Sequence, residues 1–152
     1  MLDDMPAQPG TYLLVFESDV HTDIEVGRLV QLNLIPGYYV YIGSAFGPGG
    51  LRARVKHHHG ISQRPHWHLD YIRPHLGLQQ IWFTTETSRQ EHAWADSMYY
   101  TMHMQIPKPG LGSSDCQCES HFFYSKVKPG QKKMQAALIK NNNMHLELIK
   151  IS

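Results

Sequence analysis

Residues 38–60 carry the sequence YYVYIGSAFGPGGLRARVKHHHG, and this stretch decides the fold. Its opening, YYVYI, is aromatic and β-branched, a composition that predicts a strand over 38–42. The glycines from Gly43 to Gly50 indicate a turn. The segment 51–59 then predicts a helix, which Gly60 ends. A strand that passes through a glycine-rich turn into a helix is typical of a domain that mixes both kinds of element.

The rest of the chain predicts further short elements without a repeat or a linker. Strands are expected over 10–17, 78–85, 120–127 and 145–151, with a hairpin or bent strand over 24–34 that turns or bulges at Gly27. Helices are expected over 66–72, from Ser88 to about His103, and over 131–140, with Ser88 as N-cap and Glu91 completing a capping box.

These elements predict one α+β domain over 1–152, with a small antiparallel β-sheet flanked by helices. Its core is expected to span about 9–127. Residues 128–152 would form a C-terminal extension that covers a sheet edge or supports dimerisation.

Bulk composition excludes several classes of protein. With 18% charged residues and a net charge of +1, the chain is typical of a folded domain, and its overall charge alone indicates no nucleic-acid partner. The longest apolar runs are far shorter than the roughly 20 residues of a membrane span, and the acidic, proline-rich start differs from a signal peptide. Cys116 and Cys118 are too close for an unstrained mutual disulfide. We therefore expect a cytoplasmic protein with no membrane contact.

Histidine is concentrated in one part of the chain, because many of the eleven copies lie within 56–75. His57, His58 and His59 point in different directions on a helix, so they cannot all share one site. For His59, as for His75, simple exposure to solvent is an equally good explanation.

A second group alternates in the sequence: His66, His68 and Asp70. On a strand these three side chains would share a face, whereas on a helix they would splay apart. Substrate contacts and a polar network around an active site both explain this group of residues.

Five features occur in an order that suggests chemistry. Two tyrosine signatures, GTY at 10–12 and YIG at 41–43, are followed by Arg54, His58 and Glu91. Arg54 and His58 are four residues apart, which places them on one face of a helix. Taken singly, the tyrosines are ordinary strand aromatics, Arg54 is a solvated helix residue and Glu91 is a capping residue. Only the ordered set of all five features indicates a catalytic site.

This ordered set resembles the GIY-YIG nuclease superfamily, with Thr11 in place of the usual Ile, and it is most similar to the Uri-type branch of small stand-alone proteins. The shared features run from PGTY at 9–12 to SHFFY at 120–124, and include GYYVYIGSA at 37–45, HWHLDY at 66–71 and GSSDCQC at 112–118. The stretch between the signatures is longer than in most members, so 15–37 predicts an inserted hairpin. The usual late Asn of the family has no clear counterpart.

The resemblance implies a metal-dependent DNA endonuclease that hydrolyses phosphodiester bonds, in repair, recombination or processing of foreign DNA. Tyr12 would activate the attacking water, and Tyr41 would line the same site. Arg54 would contact the phosphate, and His58 would be a further phosphate contact or a proton carrier. Glu91 would bind one Mg2+ or Mn2+ ion through oxygen.

Two more positions follow from the same comparison. Gly43 would let the backbone turn tightly beside the site. Glu86 is the alternative carboxylate for the metal, because a capping function competes for Glu91.

The most positive region is predicted on the helix over 51–59, where Arg52 and Lys56 are expected to follow a DNA backbone. His66 and His68 are further candidates for DNA contacts. A single domain with one metal makes one cut per engagement, so cleavage of both strands would require a homodimer or a second visit.

Cys116, Cys118 and His121 form the pattern C-x-C-x-x-H. Thiolate and imidazole are preferred zinc ligands, and a fourth ligand could come from His66 or His68. The second cysteine pair of most structural zinc sites is missing, so inert thiols that pack a tight loop are the favoured interpretation.

The alternative to a nuclease is a non-catalytic module on the same fold. Such a module would bind nucleic acid or would be an interaction module stabilised by zinc.

Overall fold

Strands and helices alternate along the computed structural model, which describes residues 2–27, 30–65, 67–109, 111, 120–139 and 144–151. The strands are β1 (Thr11–Ser18), β2 (Thr22–Val26), β3 (Val30–Leu34), β4 (Gly37–Ser44), β5 (Gly77–Thr84), β6 (Phe122–Ser125) and β7 (Glu147–Lys150). The α-helices are α1 (Gly50–His59), α2 (His68–Ile72), α3 (Glu91–Asp96) and α4 (Gln131–Leu138). Short 3-10 turns span Leu2–Asp4 and Arg73–His75, and a π-helical segment spans Ser97–Thr101.

The main sheet is built around β1. Five antiparallel strands lie in the order β6-β4-β1-β5-β7, which puts β1 at the centre. Successive side chains of a strand point to opposite faces, so Tyr12, Leu14 and Phe16 belong to one core and Leu13 and Val15 to the other. The apolar run of β1 therefore has a physical reason, because both of its faces are covered.

Helices cover both faces of the sheet. On the first face, α1 and α2 contribute Leu51, Val55, Leu69 and Ile72. On the second face, α3, the π-helical segment and α4 contribute Trp94, Met98, Met134 and Leu138. The predicted α+β domain with an antiparallel sheet flanked by helices is confirmed. Within the described ranges, no helix has both the length and the apolar character needed to cross a membrane.

The predicted hairpin between the two signature strands is also present. β2 and β3 pair antiparallel as a separate two-stranded sheet, and Gly27 has a φ of +70°, a conformation that favours glycine. The hairpin buries Ile24 and Leu32 in the core of the first face, so it is an integral part of that layer.

The predicted start of α3 is wrong, whereas helical structure continues to Thr101, close to the predicted end at about His103. Its N-cap is Gln90 and not Ser88, because the Gln90 N–H donates to the hydroxyl oxygen of Thr11 in β1 at 3.1 Å. The Ser88 hydroxyl accepts from the Gln90 side chain at 2.7 Å, so no capping box forms. Regular α-helix ends at Asp96 and changes to the π-helical segment, which stops before His103, a residue with a φ of +55°.

The C-terminal extension belongs to the folded core. β7 pairs with β5 and so covers that edge of the sheet, which is one of the two predicted roles. α4 packs Met134 and Leu138 into the second core, and the indole N–H of Trp94 donates to the Leu138 carbonyl at 3.1 Å. Residues beyond 128 therefore complete both the sheet and one helical layer.

We expect Met134→Ala to lower the free energy of unfolding by about 2–5 kcal/mol, because it removes a fully buried side chain from the second core. Lys133→Ala, at the exposed neighbouring position of α4, is the matched control and should change stability little. Urea unfolding measures both. Equal stability of the two variants would contradict the packing of α4 described above.

Candidate functional site

The two signature tyrosines lie on the same face of the sheet. Tyr12 in β1 and Tyr41 in β4 have ring centroids 6.5 Å apart. Tyr12 pairs directly with Gly43 across the two strands, and its ring crosses the glycine backbone. A Cβ atom on Gly43 would lie 2.3 Å from the Tyr12 hydroxyl oxygen. Glycine is needed there because no side chain fits beneath the ring.

The tight turn expected at Gly43 is absent, because Gly43 lies inside β4. The chain turns later, where Gly49 and Gly50 both have positive φ. A Cβ atom on Gly50 would meet the Ala7 carbonyl oxygen at 2.3 Å, so the start of α1 is packed against the N-terminal segment. The Leu51 N–H donates to the Gln8 carbonyl at 2.9 Å and fixes this contact.

Helix α1 places His58 against the Tyr12 hydroxyl. The imidazole Nε2 lies 3.0 Å from that oxygen, and the side chain is buried. Burial lowers the pKa of His58 from 6.5 to about 3, although the nearby Asp70 carboxylate acts in the opposite direction. At neutral pH the ring is therefore neutral and has one nitrogen free to accept a proton.

Arg54, one turn earlier in α1, brings its positively charged guanidinium near the same phenol. Its Nη1 donates to the Ser44 carbonyl at 3.0 Å, and its guanidinium carbon lies 4.4 Å from the centroid of the Trp67 ring. The Arg54 guanidinium acts on the Tyr12 phenol as well, since it lowers the pKa of that group. We therefore assign the phenolic hydrogen to the bond with His58 Nε2.

Both tyrosines are protonated at neutral pH. Burial raises the pKa of Tyr12 well above its usual 10, with a further contribution from Tyr41, while the charge and hydrogen bond of Arg54 oppose the shift. Burial likewise raises the pKa of Tyr41. Tyr12 is thus a neutral phenol between a proton acceptor and a cation.

Glu91 comes close to this cluster from the opposite layer. It is the first residue of α3, whose start is tied to β1 by the bond to Thr11 described above. Its carboxylate raises the pKa of both Tyr12 and Tyr41. Its side chain is 20% exposed, and its oxygens lie 4.0 Å from Arg89 Nη1 and 4.0 Å from His121 Nδ1. A partly exposed carboxylate of this kind suits Mg2+ or Mn2+, which take oxygen ligands and keep several waters.

His57, His58 and Asp70 form a second cluster, which the sequence did not predict. His57 Nε2 lies 2.8 Å from Asp70 Oδ1, and His58 Nδ1 lies 3.7 Å from the same oxygen. Asp70 Oδ2 accepts the backbone N–H of Trp67 at 2.9 Å, which holds the carboxylate at the start of α2. The acidic residue three positions after Trp67 is a helix-start pattern, and it adds to the alternation of Asp70 with His66 and His68 as a signal for this position.

The other predicted site residues lie around this centre or outside the described part of the chain. Arg52 and Lys56 are exposed on α1, and Arg52 Nε donates to the Met5 carbonyl at 2.8 Å. His68 is half-buried at the start of α2, so it and Asp70 diverge as expected for a helix. His66, Cys116 and Cys118 lie outside the described residues.

Fold and site together define an α+β domain with a central antiparallel sheet and a buried tyrosine–histidine–arginine cluster beside a partly exposed carboxylate. Residues 11–144 match the family model of the domain of unknown function DUF123, so the chain belongs to the DUF123 family. No curated protein and no solved structure matches the chain.

We expect Gly43→Ala to destabilise the protein by about 1–3 kcal/mol, because the new methyl group would overlap the Tyr12 ring. Gly47→Ala is the control, since a Cβ there has no atom within 4 Å. Urea unfolding measures stability, and the tyrosine near-ultraviolet circular dichroism reports the ring. A Gly43→Ala protein as stable as the control would contradict the contact.

The buried His58 should make the fold sensitive to acid. Its folded pKa lies below its unfolded value, so stability is complete above pH 6.5 and is lost as pH falls towards about 3. The slope from this one group is at most about 1.4 kcal/mol per pH unit. Urea unfolding in EDTA across this range should therefore show a steeper pH dependence for wild type than for His58→Gln. Identical slopes would show that His58 is not buried in the neutral form.

Proposed function

We propose that this protein is a metal-dependent DNA endonuclease of the GIY-YIG type, acting in repair, recombination or processing of foreign DNA in the cytoplasm. The observation that best supports this proposal is the position of the Tyr12 hydroxyl, which lies 3.0 Å from a neutral imidazole nitrogen of His58. The nearby positive charge of Arg54 lowers the pKa of the same phenol. Such an arrangement can move a proton and stabilise a negative charge at the same point, which phosphodiester hydrolysis requires.

In the proposed reaction the phenol relays a proton. A water molecule loses a proton to the Tyr12 oxygen while the phenolic proton passes to His58 Nε2. The water oxygen forms a bond to phosphorus, and the bond from phosphorus to the leaving oxygen breaks. The electron pair of that bond stays on the leaving oxygen, which takes up a proton from solvent. The raised pKa of Tyr12 favours this relay over a standing phenolate. Asp70 Oδ1, 3.7 Å from His58 Nδ1, stabilises the imidazolium that forms.

Arg54 is the residue that would neutralise the phosphate. Its guanidinium presents a planar fork of donors that matches two phosphate oxygens. Glu91 is the residue that would hold the Mg2+ or Mn2+ ion, and its partly exposed carboxylate is compatible with that role. When bound, the ion would supply positive charge against the charge that develops on the phosphate.

Substrate access requires a movement of side chains. Tyr12 is fully buried and Tyr41 nearly so, which leaves no path for a phosphate in the present arrangement. Arg54 partly covers them through its contacts with Ser44 and Trp67. We propose that the phosphate draws Arg54 away from the Ser44 carbonyl and thereby opens the phenol. Apo enzymes often complete such contacts only with substrate bound.

The DNA backbone is proposed to follow α1, where Arg52 and Lys56 are exposed and four residues apart. Cutting of both strands would then require a homodimer or two successive binding events.

One observation favours a rival function. The complete burial of Tyr12 favours a nucleic-acid-binding module in which the tyrosine cluster is purely structural.

The proposal predicts that purified protein cuts DNA with Mg2+ or Mn2+ and not with EDTA. Tyr12→Phe should lower the rate by about 100-fold or more, because the relay loses its hydroxyl. Arg54→Ala and Glu91→Gln should also be strongly impaired. Single-stranded, duplex and branched DNA are compared in gel assays.

Matched variants make this experiment decisive. Tyr38→Phe, Arg64→Ala and Glu86→Gln should retain activity, and Glu86→Gln also tests the alternative carboxylate. DNA binding without cleavage by wild type would favour the non-catalytic module. Equal nicking by every variant would reveal a contaminating nuclease and remove the support for the proposal.

A further inference from the structure

We propose that His57, His58 and Asp70 form a binding site for one first-row transition-metal ion, with Zn2+ as the best match. The site is distinct from Glu91, whose oxygens suit Mg2+ or Mn2+. It does not depend on nuclease activity, because it is argued from ligand atoms alone.

The spacing of the ligand atoms is close to that of a metal site. Bonds of about 2.0–2.2 Å place ligand atoms about 3.3 Å apart around a tetrahedral Zn2+. Asp70 Oδ1 lies 2.8 Å from His57 Nε2 and 3.7 Å from His58 Nδ1, and no pair among the three ligand atoms exceeds 4.8 Å. Small rotations of these side chains would therefore bring the three ligand atoms to bonding distance of one ion.

A second observation points to a ligand at this place. His58 Nδ1 is buried and has no hydrogen-bond partner among the described residues, although it faces the Asp70 carboxylate. A buried polar atom without a partner is costly, and a bound cation would satisfy it. His57 is 31% exposed, which gives an ion access from solvent.

The chemistry of the ligands selects the class of ion. Two imidazole nitrogens and one carboxylate oxygen suit Zn2+, Co2+ or Fe2+ and leave positions for water, whereas Mg2+ prefers oxygen alone. The Trp67 ring packs against both imidazoles, with centroids 4.9 Å from His57 and 5.5 Å from His58, and limits the water around them. Arg54 and Arg73 add positive charge nearby, which Asp70 partly offsets.

A metal ion bound at this site would change the hydrogen bond between His58 and Tyr12. A metal on Nδ1 requires the remaining hydrogen of the neutral ring to be on Nε2. His58 would then donate to the Tyr12 oxygen instead of accepting from it. A bound transition metal and the proton relay proposed above therefore exclude one another.

The test is titration of the protein, purified without a histidine tag and stripped with EDTA, with Zn2+ and Co2+. Calorimetry and Co2+ visible absorption should report one ion per chain. His57→Gln should weaken binding by at least about tenfold, as should Asp70→Asn. His59→Gln is the matched control, because His59 is the exposed next residue of α1. It should bind as wild type does.

A protein with both Cys116→Ser and Cys118→Ser should still bind one ion at this site. Loss of binding in that protein, with retention in His57→Gln, would overturn the proposal in favour of a cysteine site. Absence of binding by wild type would overturn it outright. Because Asp70 also supports the start of α2, circular dichroism checks that each variant is folded, and His57→Gln carries the test if Asp70→Asn is not.

Nuclear magnetic resonance of 15N-labelled imidazoles gives a direct readout of the proposed switch. Zn2+ should convert His58 Nε2 from an unprotonated to a protonated nitrogen, and His57→Gln should abolish the change. An Nε2 signal unaffected by saturating Zn2+ would overturn the assignment of Nδ1 as a ligand. None of these measurements uses DNA, so a failure here is separable from a failure of the proposed nuclease.

Discussion

The contact between Tyr12 and Gly43 is the constraint on which the site depends. The antiparallel register of β1 and β4 sets these two residues opposite each other, and the missing side chain of Gly43 lets the phenol cross the neighbouring strand. The hydroxyl is thereby directed towards α1, where His58 meets it. A shift of one residue in this register would turn Tyr12 to the other face of the sheet and dismantle the cluster.

Most residues of the site come from β4 and α1, which are close together in the sequence. Gly43, Arg54, His57 and His58 all belong to the single stretch 38–60. The fixed start of α1 at Gly50 determines which helix residues face the sheet. Only Tyr12, Asp70 and Glu91 must then be brought from elsewhere, by β1, α2 and α3. The central strand, a helix on one face and the start of a helix on the other meet at one end of the sheet.

Local patterns predicted much of this arrangement. The strands, the hairpin and the i, i+4 pair of Arg54 and His58 follow from periodicity and turn residues, which act over a few neighbours. The start of α3 was missed because a tertiary bond from Gln90 to Thr11 overrides the capping preference of Ser88. The cluster at Asp70 was missed because adjacent helix residues diverge, and only the packing of α2 beside α1 brings the carboxylate between them.

The pairing of β7 with β5 also bears on how two molecules could meet. An open strand edge is a template for another chain, and it is a common route to aggregation or to sheet-extended dimers. Here β7 occupies the edge of β5, while Gln105 forms a bridge with Tyr124 beyond β6 at the opposite edge. Glu147 and Lys150 place charges on the outermost strand. These two charges disfavour the addition of a further strand to β7, because a strand added there would have to accommodate them.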